Sequence, residues 1–172
     1  MAAQQLGKYE LRRPIGEGAS ATVHLAWDPF RRQEVAIKRL RTEVLNHPVH
    51  GRLNRQLLRN EASLAGRLVH PHIVQVHDAV IGDDEAYLVM DYIAGGTLAE
   101  LARPGALPAL ERLLEIVFKC SRALDFAFHQ GVTHRDIKPA NILLADAGGS
   151  DIRLSDFGAA LRSASDTTQI VG

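Results

Sequence analysis

The chain has 172 residues, 46% of them apolar, and its 20 Lys and Arg are cancelled by 20 Asp and Glu. That balance gives no electrostatic footing for nucleic acid or an anionic membrane, and the length suits one domain or slightly more. A single cysteine, Cys120, excludes an internal disulfide and fits a reduced, cytoplasmic setting. Met1 to Gln5 lacks the basic and apolar regions of a signal peptide, and no apolar run is long enough to span a bilayer.

Tyr9 to Ile15 reads as a strand, and Ala21 to Asp28 as a second, with Val23, Leu25 and Trp27 alternating on one face. Between them, Gly16-Glu17-Gly18-Ala19-Ser20-Ala21 offers backbone that can approach a phosphate closely; taken alone, a plain hairpin turn is the better reading. Asp28-Pro29 opens a turn in which Arg31 and Arg32 are solvated. Glu34 to Leu40 is a third strand, with Ala36 and Lys38 on one face and Val35 and Ile37 on the other. A Lys on a half-buried face needs a charged partner, unless it guards a sheet edge.

A helix follows over Arg52 to Leu68, its apolar face marked by Leu53, Leu57, Leu64 and Leu68, with Glu61 beside it. Glu61 either turns inward or pairs outside with Arg59 or Arg67. His70, His72 and His77 lack the convergent ligands of a metal site. Ile73 to Ala79 and Ala86 to Asp91 read as strands joined by a turn at residues 82–85. Gly95-Gly96 breaks the chain, and Thr97 with Glu100 forms a capping box for a short helix ending by Pro104-Gly105. A long helix runs from Pro108 to about Gln130. It is apolar on more than one stripe, so the sequence predicts protein on most of its sides.

Gly131 ends that helix. The polar stretch His134-Arg135-Asp136-Ile137-Lys138-Pro139-Ala140-Asn141 then leads into Ile142-Leu143-Leu144, a short strand. One carboxylate, one ammonium and one amide fall within six residues. A carboxylate can accept a hydroxyl proton, a Lys can neutralise charge on a transferring group, and an Asn oxygen can hold a hard cation. Taken alone, the stretch is also readable as a charged surface loop.

Four stretches in order resemble the signature set of the protein kinase superfamily: the Gly-rich segment 16–21, Val35-Ala36-Ile37-Lys38, residues 134–141, and Asp156-Phe157-Gly158. The resemblance extends from Tyr9 to Gly172. Lys138 is similar to the serine/threonine branch, and Val132-Thr133 to bacterial members. It implies an α+β, kinase-like fold. Residues 1–8 would be an extension. Residues 9–93 would form an antiparallel small lobe with one regulatory helix, and 94–172 an incomplete, mainly helical large lobe.

It further implies transfer of the ATP γ-phosphoryl group to Ser or Thr hydroxyls of proteins, with ATP and Mg2+ as cofactors. Lys38 would hold the α- and β-phosphates and pair with Glu61, Glu43 lying too early for that role. Asp136 would take or orient the acceptor proton, Lys138 would steady the γ-phosphoryl group, and Asn141 and Asp156 would bind magnesium. Nucleotide contacts would come from Ile15, Gly16, Glu17, Gly18, Ala19, Ser20, Ala21, Val23, Ala36, Met90, Asp91, Ile93 and Leu143. Ala21 replaces the family's third glycine, which implies a stiffer loop. His134 and Phe157 would stack with Val76 and Ala65. Arg135 implies control by phosphorylation, with Thr167 or Thr168 as self-phosphorylation sites. The family continues past Gly172 with a substrate-docking loop and further helices, so the chain as given is expected to be weakly active or inactive. The alternative is a nucleotide-binding regulatory or docking module without turnover. A small-molecule phosphotransferase fits Lys138 and the Asp156-Phe157-Gly158 motif less well.

Overall fold

A computed structural model describes residues 4–102, 107–145, 150–157 and 160–162. Two compact units emerge. One holds the chain up to Gly66 together with Gln75–Tyr92; the other holds Arg67–Val74 and the chain from Ile93.

The first unit is a six-stranded antiparallel sheet. Its strands are β1 (Gln4–Leu6), β2 (Tyr9–Glu17), β3 (Ala21–Asp28), β4 (Gln33–Leu40), β5 (Val76–Ile81) and β6 (Ala86–Asp91), ordered β1-β2-β3-β4-β6-β5. Helices α1 (Thr42–Leu45) and α2 (His50–Ala65) follow β4. Period-two alternation gives the sheet two apolar faces. Leu6, Tyr9, Leu11, Ala26, Val35, Ile37, Tyr87 and Val89 cluster on one. Ala21, Leu40, Ala86 and Leu88 meet Leu45 and Leu58 of the helices on the other.

β1 was not legible in the sequence, because two glutamines carry no strand signal. It exists because Gly7 takes φ +56 and turns the chain back. A Cβ at Gly7 would lie 2.9 Å from the Tyr87 hydroxyl. The Tyr9 hydroxyl donates to Asp78 at 2.8 Å, and Lys8 pairs with the same carboxylate at 3.1 Å. Burial, then the Asp78 hydrogen bond, pushes the Tyr9 phenol up to about 12. In the β3–β4 turn, the fully buried Asp28 accepts the Phe30 and Arg31 backbone N–H groups and the Arg31 guanidinium. Arg31 is therefore a turn-fastening group and not merely a solvated one.

α2 begins before the expected Arg52 and ends before Leu68, with Gly66 as its C-cap. Its inward row is Leu58, Glu61 and Leu64, whereas Leu53 and Leu57 stay exposed. Gly51 decides this orientation. It sits so close to α1 that a Cβ would lie 2.3 Å from the Leu45 carbonyl oxygen.

The second unit contains α3 (Leu98–Leu101), α4 (Leu110–His129), β7 (Val132–Thr133), a 3-10 turn at Pro139–Asn141, β8 (Ile142–Leu144), β9 (Ile152–Leu154) and β10 (Leu161–Arg162). β8 and β9 form an antiparallel hairpin, and β10 pairs with β7. Ile73 and Val74 do not join β5 as expected. They run beside β9, where the Val74 N–H donates to the Leu154 carbonyl and the Leu154 N–H to that of His72, both at 2.9 Å. A short apolar run is the same in sequence whichever strand it pairs with.

Thr97 caps α3, its backbone N–H and hydroxyl both donating to the Glu100 carboxylate. α4 buries Ile116, Cys120, Ala123 and Ala127, a single stripe at helical spacing. Leu114, Val117, Phe118 and Phe128 are each at least 60% exposed, so the helix is not covered on most sides by the described residues. Burial pushes the Cys120 thiol up, away from reactivity. Among the described residues no helix is long and apolar enough to cross a membrane.

Candidate active site

Strand parity places Lys38 on the face of β4 that α2 covers, beside Leu40 and across from Val23 and Leu88. The inward row of α2 brings Glu61 to it. The Lys38 ammonium donates to both Glu61 oxygens, at 3.0 and 2.8 Å, with the carboxylate almost fully buried. Two charges removed from water in this way need each other. Ala36 lies one step along the same face, opposite Leu25 and Met90.

Ile15, Gly16 and Glu17 end β2, and Gly18, Ala19 and Ser20 form the turn into β3. The Gly18 N–H donates to the Ala21 carbonyl at 2.8 Å. Ala21 is buried in the α2-side core, so its side chain packs the sheet instead of lining the loop. Neither glycine has positive φ, and added Cβ atoms would meet only Val23 at 3.8 Å or the Ala21 oxygen at 3.5 Å, ordinary contacts. The protein's own packing therefore does not require glycine at 16 or 18. Arg41, which no sequence pattern marked, holds this turn. Its guanidinium donates to the Gly18 carbonyl at 2.7 Å and its N–H to the Ser20 carbonyl at 3.0 Å. Asp91 ends β6, where its carboxylate takes the Gln75 N–H at 3.2 Å and lies 2.7 Å from His77 Nε2.

In the second unit, residues 134–141 close on themselves. The Lys138 ammonium donates to Asp136 Oδ2 at 2.7 Å. The Asn141 amide nitrogen donates to the Asp136 carbonyl at 2.9 Å and to Oδ2 at 3.1 Å. The Lys138 hydrogen bond holds the Asp136 carboxyl below its ordinary range, and the same bond raises Lys138. Asp136 is thus an ionised acceptor at neutral pH, with a cation and an amide fixing its orientation. Arg135 sits at φ 69 and Asp156 at φ 63, left-handed conformations that cost energy in residues other than glycine.

His134 is buried, and burial lowers its pKa. Nδ1 accepts the Asp136 N–H at 3.3 Å, so the neutral ring's proton lies on Nε2, which donates to the Ser155 carbonyl at 3.0 Å. Its ring meets Phe157 at 4.5 Å between centroids. Ser155 also went unmarked in the sequence, yet its N–H and hydroxyl both donate to the Asn141 carbonyl, at 2.9 and 3.2 Å. It joins the 134–141 loop to the strand that delivers Asp156. Leu143 lies on β8 opposite Arg153 and bridges to Thr97; Ile93 opens the second unit after Tyr92. The side chain of Ala65, Gly158, and the hydroxyls of Ser163, Ser165, Thr167 and Thr168 lie outside the described residues.

The family described as the protein kinase domain matches this chain over residues 9–172. The chain belongs to the protein kinase domain family. Similar kinases include a probable serine/threonine-protein kinase of Streptomyces coelicolor, 38% identical over 160 residues, which cover 90% of this chain and 23% of that protein. PrkC of Bacillus subtilis is 38% identical, with 94% of this chain and 24% of the relative covered. PknB of Mycobacterium leprae is 34% identical, with 95% and 26% covered. This chain thus spans about a quarter of the length of these relatives. The crystal structure of the Mycobacterium tuberculosis PknI kinase domain superposes with a TM-score of 0.73 at 32% identity, over 92% of this chain and 62% of that one. The α+β, kinase-like fold expected from the sequence is the fold of this chain.

Proposed function

We propose that this chain carries the nucleotide and catalytic-loop parts of a serine/threonine protein kinase, which moves the ATP γ-phosphoryl group to protein Ser or Thr hydroxyls. The observation that carries this reading is the Asp136, Lys138 and Asn141 cluster. The first unit supports it with Lys38 paired to Glu61, the arrangement a working kinase needs, and with glycines at 16 and 18 where the protein's own packing would admit a side chain.

Bound magnesium-ATP would supply the phosphoryl group and the divalent charge that neutralises it. Lys38 would hold the α- and β-phosphates, while Gly16 to Ala21 would cover them with backbone N–H groups. Asn141 uses its amide nitrogen on Asp136, which leaves its oxygen for a hard cation; Asp156 adds a carboxylate, a donor type that magnesium prefers. Asp136 Oδ1 and Oδ2 would orient the acceptor hydroxyl and take its proton. Lys138 would then balance charge on the moving group. Ile15, Val23, Ala36, Met90 and Leu143 would enclose the base, with the backbone of Asp91 and Ile93 binding its edge. A cytoplasmic site of action and self-phosphorylation at Thr167 or Thr168 belong to this reading.

Phosphate transfer from labelled ATP to a general protein acceptor, measured in a version that carries the complete kinase domain, tests it. Asp136→Asn should lower the rate by about 10²-fold or more, the usual worth of a positioned acid–base group, with nucleotide affinity little changed. Lys38→Met should abolish transfer. Retained rates in both variants would remove these residues from the mechanism. The exposed apolar face of α4 favours a second reading, a nucleotide-binding docking module. Nucleotide binding with no transfer by a version that carries the complete kinase domain would select it.

A further inference from the structure

His77 sits where β5 departs from regular pairing. Val76 pairs with Met90 and Asp78 with Val89, so His77 is an extra residue between them with no partner in the register of β6. Such a bulge bends the strand and re-aims a side chain. Here the ring reaches the end of β6, where Nε2 lies 2.7 Å from Asp91 Oδ1. A carboxylate oxygen only accepts, so Nε2 carries the hydrogen and donates. The neighbouring pair, Gln75 and Asp91, is altered in a specific way. Facing residues of a hydrogen-bonded antiparallel pair exchange two bonds, N–H to carbonyl in both directions. The Asp91 N–H gives its bond to the Gln75 carbonyl at 3.0 Å. The return bond goes elsewhere: the Gln75 N–H donates to Asp91 Oδ2 at 3.2 Å. The carboxylate has taken the donor that a regular ladder would give to the Asp91 carbonyl. His77 holds one of its oxygens and Gln75 the other, all within the first unit.

We propose that His77 is a positioning residue for base recognition. It holds the Asp91 carboxylate on the Gln75 N–H, and this keeps the Asp91 carbonyl out of the ladder as an acceptor for the amino group of adenine. This role rests on the proposed nucleotide reading, in which the Asp91 backbone binds the edge of the base. A carbonyl at that place accepts from a 6-amino purine and repels a 6-oxo one, and a site built to make such a bond discriminates by it. Without the His77 donor the carboxylate turns away, the Gln75 N–H closes on the carbonyl as in a regular pair, and the base loses its acceptor.

The probes are magnesium-ATP and magnesium-ITP, which carry a 6-amino and a 6-oxo group. Their equilibrium affinities are measured on a version that carries the complete kinase domain, and the parent should prefer ATP. His77→Phe keeps a ring in the bulge but cannot donate. It should weaken ATP binding by about fivefold, the usual worth of one hydrogen bond, leave ITP binding nearly unchanged, and so narrow the preference. His77→Gln brings an amide N–H to the same carboxylate and should restore most of it. In an Asp91→Ala background His77→Phe should change nothing further, because the two side chains act as one unit. Thermal melts confirm that the variants stay folded. A preference that His77→Phe leaves intact, equal losses for the two nucleotides, no recovery in His77→Gln, or an added loss in the Asp91→Ala background overturns the role of His77. A parent that binds both nucleotides alike overturns the base recognition, and a parent that binds neither overturns the nucleotide reading itself.

Discussion

Asp136 is governed by two neighbours that do different things. Lys138 sets its charge state, and Asn141 sets its orientation. Because the folded pKa is depressed, the stability this pairing brings is present above the unfolded value near 3.8 and is lost as pH falls through the folded value. Lys138→Met removes the hydrogen bond chiefly responsible for the depression. The midpoint of the Asp136 carboxyl titration, followed by carbon NMR, should rise toward the ordinary range, and an unchanged midpoint would show that the pair does not form in solution. Sequence reading found Asp136, Lys138 and Asn141 because their spacing is local. It could not find Ser155, whose bonds to Asn141 and His134 span 14 and 21 residues.

Among the elements, β3 carries a local inconsistency. His24 Nδ1 is buried with no hydrogen-bond partner among the described residues, and burial, reinforced by Arg39, lowers its pKa. The unfolded chain binds that proton first, so His24 erodes stability as pH drops below about 6.5 and has no effect on the slope above it. His24→Val suits a strand and removes the orphaned atom. It should stabilise by about 1 kcal/mol and flatten the fall in Tm between pH 7.5 and 5.5. On the neighbouring strands, Tyr9→Phe deletes the bond to Asp78 and should cost about 1 kcal/mol in denaturant melts. The strands themselves were legible because alternation is written into residues 21–28 and 33–40. The face of α2 was not: Leu53, Leu57, Leu58 and Leu64 offer two rows, and only the close approach of Gly51 to α1 chooses between them.

At the scale of the whole molecule, the described residues of α4 leave Leu114, Val117 and Phe118 open to solvent. Patches of this kind drive association. Val117→Lys with Phe118→Glu should therefore shift the chain toward a monomer in sedimentation measurements while leaving the melting temperature nearly unchanged. The long helix was legible as an element, but its apolar surplus implied a burial that residues beyond its own stripe would have to supply. The division into units carries a different consequence. Residues 67–74 lie between two stretches of the first unit, yet hydrogen-bond to β9 in the second, so the chain passes between units three times, after Gly66, Val74 and Tyr92. Neither unit is a contiguous cassette. A chimera joined at Tyr92, with its front half from one relative and its back half from another, would pair a foreign 72–74 segment with the native Leu154. Recombination within this family is constrained less by the obvious seam than by eight residues that belong to the far side of it.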